Sequence, residues 1–284
     1  MRRQRKGEPG TMLPETFQFD QSKLQDYVDC PRRFQLRYVL MQPWPALVVE
    51  PAGEAERQMQ RGADFHRLAQ QAAAGLEPDR LAATIHDPLL AQWWQTLLAN
   101  PPGDLPAAGR RAEVVVAAPL ASYRLVAKFD LVASEQGERL VVVDWKTMAR
   151  RPTRAELARR LQTRVYRYLA VEAGASLFGG QRPQPAQVEM IYWLAQSGGD
   201  TERFPYDAAQ HAADSGYLAD LVADIVAQGG EIWPLTAQED RCRFCNYRSL
   251  CERGVKPGFL QELGDDLEEP GLEIDLEQIA EIAF

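Results

Sequence analysis

Hydrophobic and polar positions repeat with different periods along the chain, and each period predicts a different element. From Ser22 to Tyr27 a serine cap precedes Leu24, Tyr27 and Val28 on one face, which predicts a short helix. Pro31 after Cys30 marks a break or a new first turn, and Phe34, Leu36, Tyr38 and Val39 continue an apolar helical segment. Residues 43 to 51 read as a loop. Glu54 to Ala74 has the composition of a helix, with Met59, Phe65 and Leu68 as apolar anchors around Gly62 and His66, and another helix is expected from Asp87 to Leu98. The pattern then changes. Glu113–Val116, Tyr123–Val132 and Arg139–Asp144 are β-branched runs separated by turn formers such as Ser134-Glu135-Gln136-Gly137, which predicts consecutive, largely antiparallel strands. Leu157, Leu161, Val165 and Leu169 recur every four residues and predict one long helix from Thr153 to Glu172. A buried strand over Gln187–Leu194 and a helix over Ala208–Ala227 follow. Trp93, Trp94, Trp193 and Trp233 are assigned to the core. The order of elements predicts an α/β core wrapped by N- and C-terminal helical parts.

With 284 residues and 45% hydrophobic content, the chain can bury one sizeable core. Three segments are expected: a basic, disordered stretch over 1–16, a folded domain over 17–260 and an acidic tail over 261–284. No run of eighteen apolar residues occurs and the basic N-terminus lacks the apolar stretch of a secretory signal, so a soluble cytoplasmic protein without a membrane partner is expected. The net charge of −8 speaks against a nucleic-acid partner until it is divided. The tail holds nine acids and no base, so the remaining 260 residues sum to −8 + 9 = +1. Within them Arg150, Arg151, Arg154, Arg159, Arg160, Arg164 and Arg167 share one stretch with a single acid, Glu156, a local footprint for phosphate. The tail is either a solubilising appendage or a segment that occupies a protein partner or competes with DNA.

Candidate chemistry sits at the strand ends. Asp130 lies near the end of one predicted strand, and Asp144-Trp145-Lys146 closes the next, directly after Leu140-Val141-Val142-Val143. If these strands pair, two carboxylates and an ammonium meet at one sheet edge, and the period of two puts Asp144 and Lys146 on one face. That grouping suits phosphodiester hydrolysis. Hard oxygen ligands hold Mg²⁺ or Mn²⁺, the metal activates water and neutralises the phosphate, and the lysine orients the nucleophile or screens charge. An isolated Asp-x-Lys is more often a solvated ion pair. What changes the reading is the series of parts: His66 upstream, then Asp130, then Asp144-x-Lys146, then Gln162 and Tyr166 four residues apart on one helix face. Glu113 is either a further metal or water ligand or a solvated glutamate at a strand start. Arg150, Arg151, Arg159 and Arg164 flank the site and suit contacts to a DNA backbone.

Three of the four cysteines form Cys242-x-x-Cys245-x₅-Cys251, and the fourth, Cys30, lies near the other end of the chain. In a reducing compartment metal binding is favoured over disulfides, and a Cys₄ set suits an iron–sulfur cluster or zinc. A metal shared by residues 30 and 242–251 would close most of the chain into a loop and stabilise it as a cross-link does. Arg241, Arg243, Arg248, Arg253 and Lys256 surround the triplet, so this lobe is a second candidate for DNA contact.

On these residues the chain resembles the PD-(D/E)xK nuclease superfamily, and within it the RecB-like branch that includes CRISPR-associated Cas family four exonucleases and the AddB nuclease domain. The resemblance covers most of residues 17 to 255. It implies a restriction-endonuclease-like core, a mixed, mostly antiparallel sheet flanked by helices, with its helical ends joined by a Cys₄ metal cluster. It further implies His66, Asp130 and Asp144 at the metal, with Trp145 lending its carbonyl and Lys146 acting as the catalytic lysine. Gln162 and Tyr166 match the family's Gln-x-x-x-Tyr helix beside the site. One remote cysteine plus a tight triplet resembles the pattern of the branch's 4Fe-4S nucleases, which favours the cluster over zinc. Ala127 departs from the family, where glycine often stands three residues before the second-motif aspartate. The function expected is metal-dependent hydrolysis of single-stranded DNA or DNA ends, in repair, recombination or CRISPR adaptation. The rival is a non-catalytic DNA-binding scaffold subunit, which predicts a damaged catalytic set.

Overall fold

In the computed structural model, residues 13–43, 52–107, 109–135, 137–148 and 150–256 are described. The expected basic N-terminal stretch before residue 13, most of the expected loop over 43–51 and the acidic tail lie outside the described residues. A two-residue strand, β1 (Gln18–Phe19), leads into α1 (Gln21–Asp29). The helix cap is Asp20, not Ser22: its carboxylate accepts the Lys23 backbone N–H at 2.8 Å. Cys30 is extended, as the residue before a proline must be, and Pro31 opens α2 (Pro31–Phe34), which continues through a π-helical turn to Val39. Leu24 and Tyr27 face inward as expected, but Val28 is 46% exposed.

Three helices follow: α3 (Ala52–Ala73), α4 (Pro78–Ala82) and α5 (Pro88–Ala99). The last is capped by Asp87, which accepts the N–H groups of Leu89 and Leu90. Met59, expected as an anchor of α3, is 44% exposed, so the inner face of that helix is set by Phe65, Leu68 and Ala69. Strands β2 (Arg111–Leu120), β3 (Tyr123–Glu135) and β4 (Arg139–Lys146) form an antiparallel meander. The helix expected over Thr153–Glu172 is two helices, α6 (Arg154–Arg159) and α7 (Leu161–Glu172). Arg160 between them is extended, with ψ of 138°, and the Thr163 hydroxyl donates to the Leu157 carbonyl at 2.6 Å, taking the place of a helical N–H. The four-residue apolar repeat survives the break because both halves pack on the same core.

Strand β5 (Val188–Leu194) pairs parallel to β4, a pairing that needs a crossover, and α6 and α7 supply it. Strand β6 (Asp200–Pro205) pairs antiparallel to β5 and closes one edge, and α8 (Ala208–Ala227) ends the regular core. The result is a mixed six-stranded sheet between helical layers. Alternation along β4 divides the interior. Leu140 and Val142 enter a core shared with α1, α2, α7 and α8, while Val141, Val143 and Trp145 enter a second core shared with α3, α4 and α5. All four assigned tryptophans are buried. Among the described residues no helix is long and apolar enough to cross a membrane.

The second core positions His66 through its neighbour. Phe65 is fully buried, stacked on Trp193 at 5.5 Å and edge-on to Trp93 at 6.2 Å. Phe65→Ala should therefore cost about 3–5 kcal/mol of stability, measured by urea unfolding, because the cavity opens under a rigid aromatic stack.

Candidate active site

The two edges of β3 are used differently, and that difference makes the site. One edge pairs with β2 from Val132 back to Tyr123. The other is divided: β1 takes Arg124 and Leu125, β4 takes Leu131 to Glu135, and among the described residues no strand pairs with 126–130. Extending the β3/β4 register past Leu131↔Val143 sets Asp130 opposite Asp144 and Lys128 opposite Lys146. The ladder stops there. The Trp145 backbone N–H instead donates to Asp130 Oδ2 at 2.8 Å, so a side chain completes what the ladder leaves open.

A second irregularity lies across from Asp130. Glu113 adopts a φ of +54° within β2, between the pairs Ala112↔Leu131 and Val114↔Phe129. Before and after it the ribbon faces opposite ways. Val114, Val116, Leu125, Ala127 and Phe129 pack into the first core, whereas Ala112 and Leu131 pack into the second. The left-handed conformation costs a non-glycine residue about 1–2 kcal/mol, and here it turns the ribbon at the position where two carboxylates meet.

Helix α3 brings His66 to this fork. Gly62, one turn earlier, permits the approach: a Cβ there would lie 3.0 Å from Thr147 Oγ1, and Gln58 donates to the Thr147 carbonyl at 2.8 Å. His66 Nδ1 lies 3.2 Å from Asp130 Oδ1 and Nε2 lies 3.1 Å from the Trp145 carbonyl oxygen. Ligand atoms of His66, Glu113 and Asp130 all fall within 4.8 Å of one another. Burial alone would raise the Asp130 carboxyl pKa, but the His66 charge and hydrogen bond, the Trp145 N–H and Lys146 outweigh it and hold it below the ordinary value.

Asp144 and Lys146 continue the face of Leu140 and Val142, as the strand period requires. Lys146 Nζ lies 3.0 Å from Asp144 Oδ2, and Gln162 Nε2 donates to Asp144 Oδ1 at 2.7 Å. All three side chains are buried. Tyr166, one turn along α7, donates to the Lys128 carbonyl at 3.0 Å, which ties the helix to the strand carrying Asp130. Two residues were missed in the sequence. Tyr192 lies under the Lys146 ammonium, 5.7 Å from ring centroid to Nζ, and its hydroxyl, whose pKa burial raises, bonds Thr163 at 2.7 Å. Lys128 meets Glu113 Oε2 at 2.6 Å. Lys128 had a signal, since Lys128-x-Asp130 is Asp144-x-Lys146 written backwards, whereas nothing in the sequence marks Tyr192.

Arg150 and Arg151 line a shallow cleft with Lys146, Pro152, Leu194 and Gln196. Arg150 is held by Glu156 at 2.8 Å, Arg151 by Asp200, and Arg164 by Asp214 at 2.7 Å, while Arg159 is exposed on α6. Away from this fork, Cys30, Cys242, Cys245 and Cys251 line a single cavity together with Arg33, Leu36, Arg248 and Arg253, and all four are free thiols. Burial pushes the Cys245 thiol up to about 11, and Cys251 is raised by burial and by its neighbours Cys30 and Cys242.

The family model of the PD-(D/E)XK nuclease superfamily matches residues 18–252. A "Putative exonuclease" from Eubacterium rectale, solved by crystallography, aligns over 85% of this chain and 90% of its own at 12% identity with a TM-score of 0.50, a likeness of fold. The crystal structure of SSO0001 aligns over 84% of this chain and 87% of its own, also at 12% identity, with a TM-score of 0.36, which supports no argument. No curated protein matches the sequence.

The conformation of Glu113 is testable apart from its chemistry. Glu113→Gly and Glu113→Val both remove the carboxylate, but only valine keeps the left-handed strain. Urea unfolding should find the glycine variant more stable than the valine variant by about 1–2 kcal/mol.

Proposed function

The chain belongs to the PD-(D/E)XK nuclease superfamily and is a nuclease with an α/β, restriction-endonuclease-like core, and from that premise we propose a Mg²⁺- or Mn²⁺-dependent deoxyribonuclease of the RecB-like branch, acting as an exonuclease on single-stranded DNA or DNA ends. The observation that carries this reading is the convergence of His66, Glu113 and Asp130 donor atoms within 4.8 Å beside the Asp144–Lys146 pair. The donor set fits a hard divalent ion: the Glu113 and Asp130 carboxylates, the His66 imidazole and the Trp145 carbonyl, while Asp144, the further ligand proposed, is held by Lys146 and Gln162. When bound, the ion supplies a Lewis acid and a water of lowered pKa.

The chain's own residues do the rest. Gln162 fixes the Asp144 carboxylate by holding Oδ1, which leaves Oδ2 toward Lys146. Lys146 places an ammonium where a nucleophile must be oriented and phosphate charge screened, with the Tyr192 ring beneath it. Tyr166 anchors the Lys128 carbonyl and so the strand segment that carries Asp130. Arg150, Arg151, Arg159 and Arg164 are assigned to the DNA backbone, since the first two flank the cleft that opens at Lys146.

For the cysteines we propose a 4Fe-4S cluster. The four cysteines line a single cavity, and Arg33, Arg241, Arg248 and Arg253 around it suit the negative charge of a thiolate-bound cluster; one remote cysteine with a tight triplet favours the cluster over zinc. We take residues 17–260 as the nuclease unit and read the acidic tail as a solubilising appendage, with a protein partner as the alternative.

Two experiments decide these assignments. Purified protein should cleave labelled single-stranded DNA with Mn²⁺, and Lys146→Ala and Asp144→Ala should each lower the rate by at least about a hundredfold. Absence of cleavage by the wild type would favour a DNA-binding scaffold. Anaerobically purified protein should be brown and contain iron and acid-labile sulfide, and Cys251→Ser should lose both. Zinc with no sulfide would overturn the cluster.

A further inference from the structure

The fork carries two lysines, and only one has a role so far. Lys128 and Lys146 stand at mirrored positions, two residues before Asp130 and two residues after Asp144, on strands that run antiparallel and part between them. Each ammonium holds a different carboxylate: Lys146 takes Asp144 at 3.0 Å and Lys128 takes Glu113 at 2.6 Å. Their settings differ. The Lys146 side chain is 10% exposed, whereas that of Lys128 is 41% exposed and reaches solvent. Glu113 meanwhile shares its neighbourhood with His66 and Asp130, so a cation entering there competes with Lys128 for the same oxygens.

We propose that Lys128, paired with Glu113, is a second phosphate-positioning residue of this site, which turns to the substrate phosphodiester when a divalent cation takes the Glu113 carboxylate. The argument has three steps. A lysine is a compact charge on a flexible four-carbon stem, so with its β-carbon fixed on a strand its ammonium can be re-aimed by rotation about the stem. A half-exposed ion pair is weak, worth only a small factor in equilibrium, so a divalent ion displaces it readily. Once displaced, the ammonium stands at the solvent side of a site whose substrate is anionic. Tyr166 supports this arrangement by holding the Lys128 backbone carbonyl, so the side chain swings from an anchored base.

The inference rests on the nuclease reading above, and its test separates the two. Calorimetry with Mn²⁺ alone, without DNA, should show Lys128→Met binding the ion about two- to fivefold more tightly than wild type, since the competing ammonium is gone. Cleavage by the same variant should show a raised KM for single-stranded DNA with a salt-dependence slope smaller by about 0.7, the loss of one phosphate contact. Lys128→Arg keeps the charge and should restore the slope. Unchanged Mn²⁺ affinity, or an unchanged KM and slope, overturns the proposal even if wild type cleaves normally. If wild type does not cleave, the nuclease reading fails, and the Mn²⁺ titration together with the salt dependence of DNA binding still decides whether Lys128 guards Glu113 and meets phosphate. A variant that unfolds is replaced by Lys128→Gln, which removes the charge but keeps a polar end at the half-exposed position, with the same outcomes required.

Discussion

The site depends on a single backbone N–H. Where β3 and β4 part after Leu131 and Val143, the next donor of the ladder, Trp145 N–H, loses its strand partner while remaining buried. Leaving it unpaired would cost about 1–3 kcal/mol, and a water-filled gap would undo the packing of Trp145 against Trp193. Asp130 resolves this by offering Oδ2 to the N–H. The carboxylate is thereby fixed in orientation, with Oδ1 turned to His66. A structural need and a chemical one are met by the same group, and the fork stays open without a broken hydrogen-bond inventory.

The fork sets Glu113 and Asp130 together beside His66 and buries Asp144 on the neighbouring strand, and each carboxylate needs its own compensation. Asp130 has His66 and the Trp145 N–H, Asp144 has Lys146 and Gln162, and Glu113 has Lys128. Buried charges cost several kcal/mol each in desolvation, so these partners chiefly offset a penalty and add little net stability. They do set geometry. A carboxylate with both oxygens engaged, as in Asp130 and Asp144, cannot rotate. The left-handed Glu113 belongs to the same balance, since it stands opposite Asp130 where the ribbon changes face.

Much of this can be read from the sequence, for identifiable reasons. Asp144-x-Lys146 after four buried aliphatic residues places both side chains on one face of a strand, because the period of two admits no other outcome. Gln162 and Tyr166 keep their shared face because the break at Arg160 falls just before the helix that carries both. The break itself is invisible to periodicity, since the apolar repeat runs through it, and it depends on a hydroxyl reaching back to Leu157. β6 is equally hard to foresee. It is an edge strand with Phe204 as its one well-buried apolar side chain, and its Glu202 and Arg203 read as a loop. The face change at Glu113 is the deepest omission, because alternation rules assume a regular ribbon and a positive φ at glutamate has no local signature.

The cysteine cavity and the fork are joined by a short path of chain. Phe19 of β1 pairs with Leu125 of β3, just short of the stretch that β4 leaves unpaired, and α1 runs from there to Cys30. On the other side of the cavity, Asp29 binds Arg241 at 2.6 Å, the Arg32 N–H donates to the Pro234 carbonyl at 3.0 Å, and the Tyr247 hydroxyl donates to the Gln42 carbonyl at 3.0 Å. These bonds close loops of about 200 residues, and closure entropy grows only with the logarithm of loop length, so a few of them suffice once the cores have formed. The four thiols therefore stand together where these bonds join the two ends of the described chain, and α1 links that point to β1, the strand that borders the open edge of the fork.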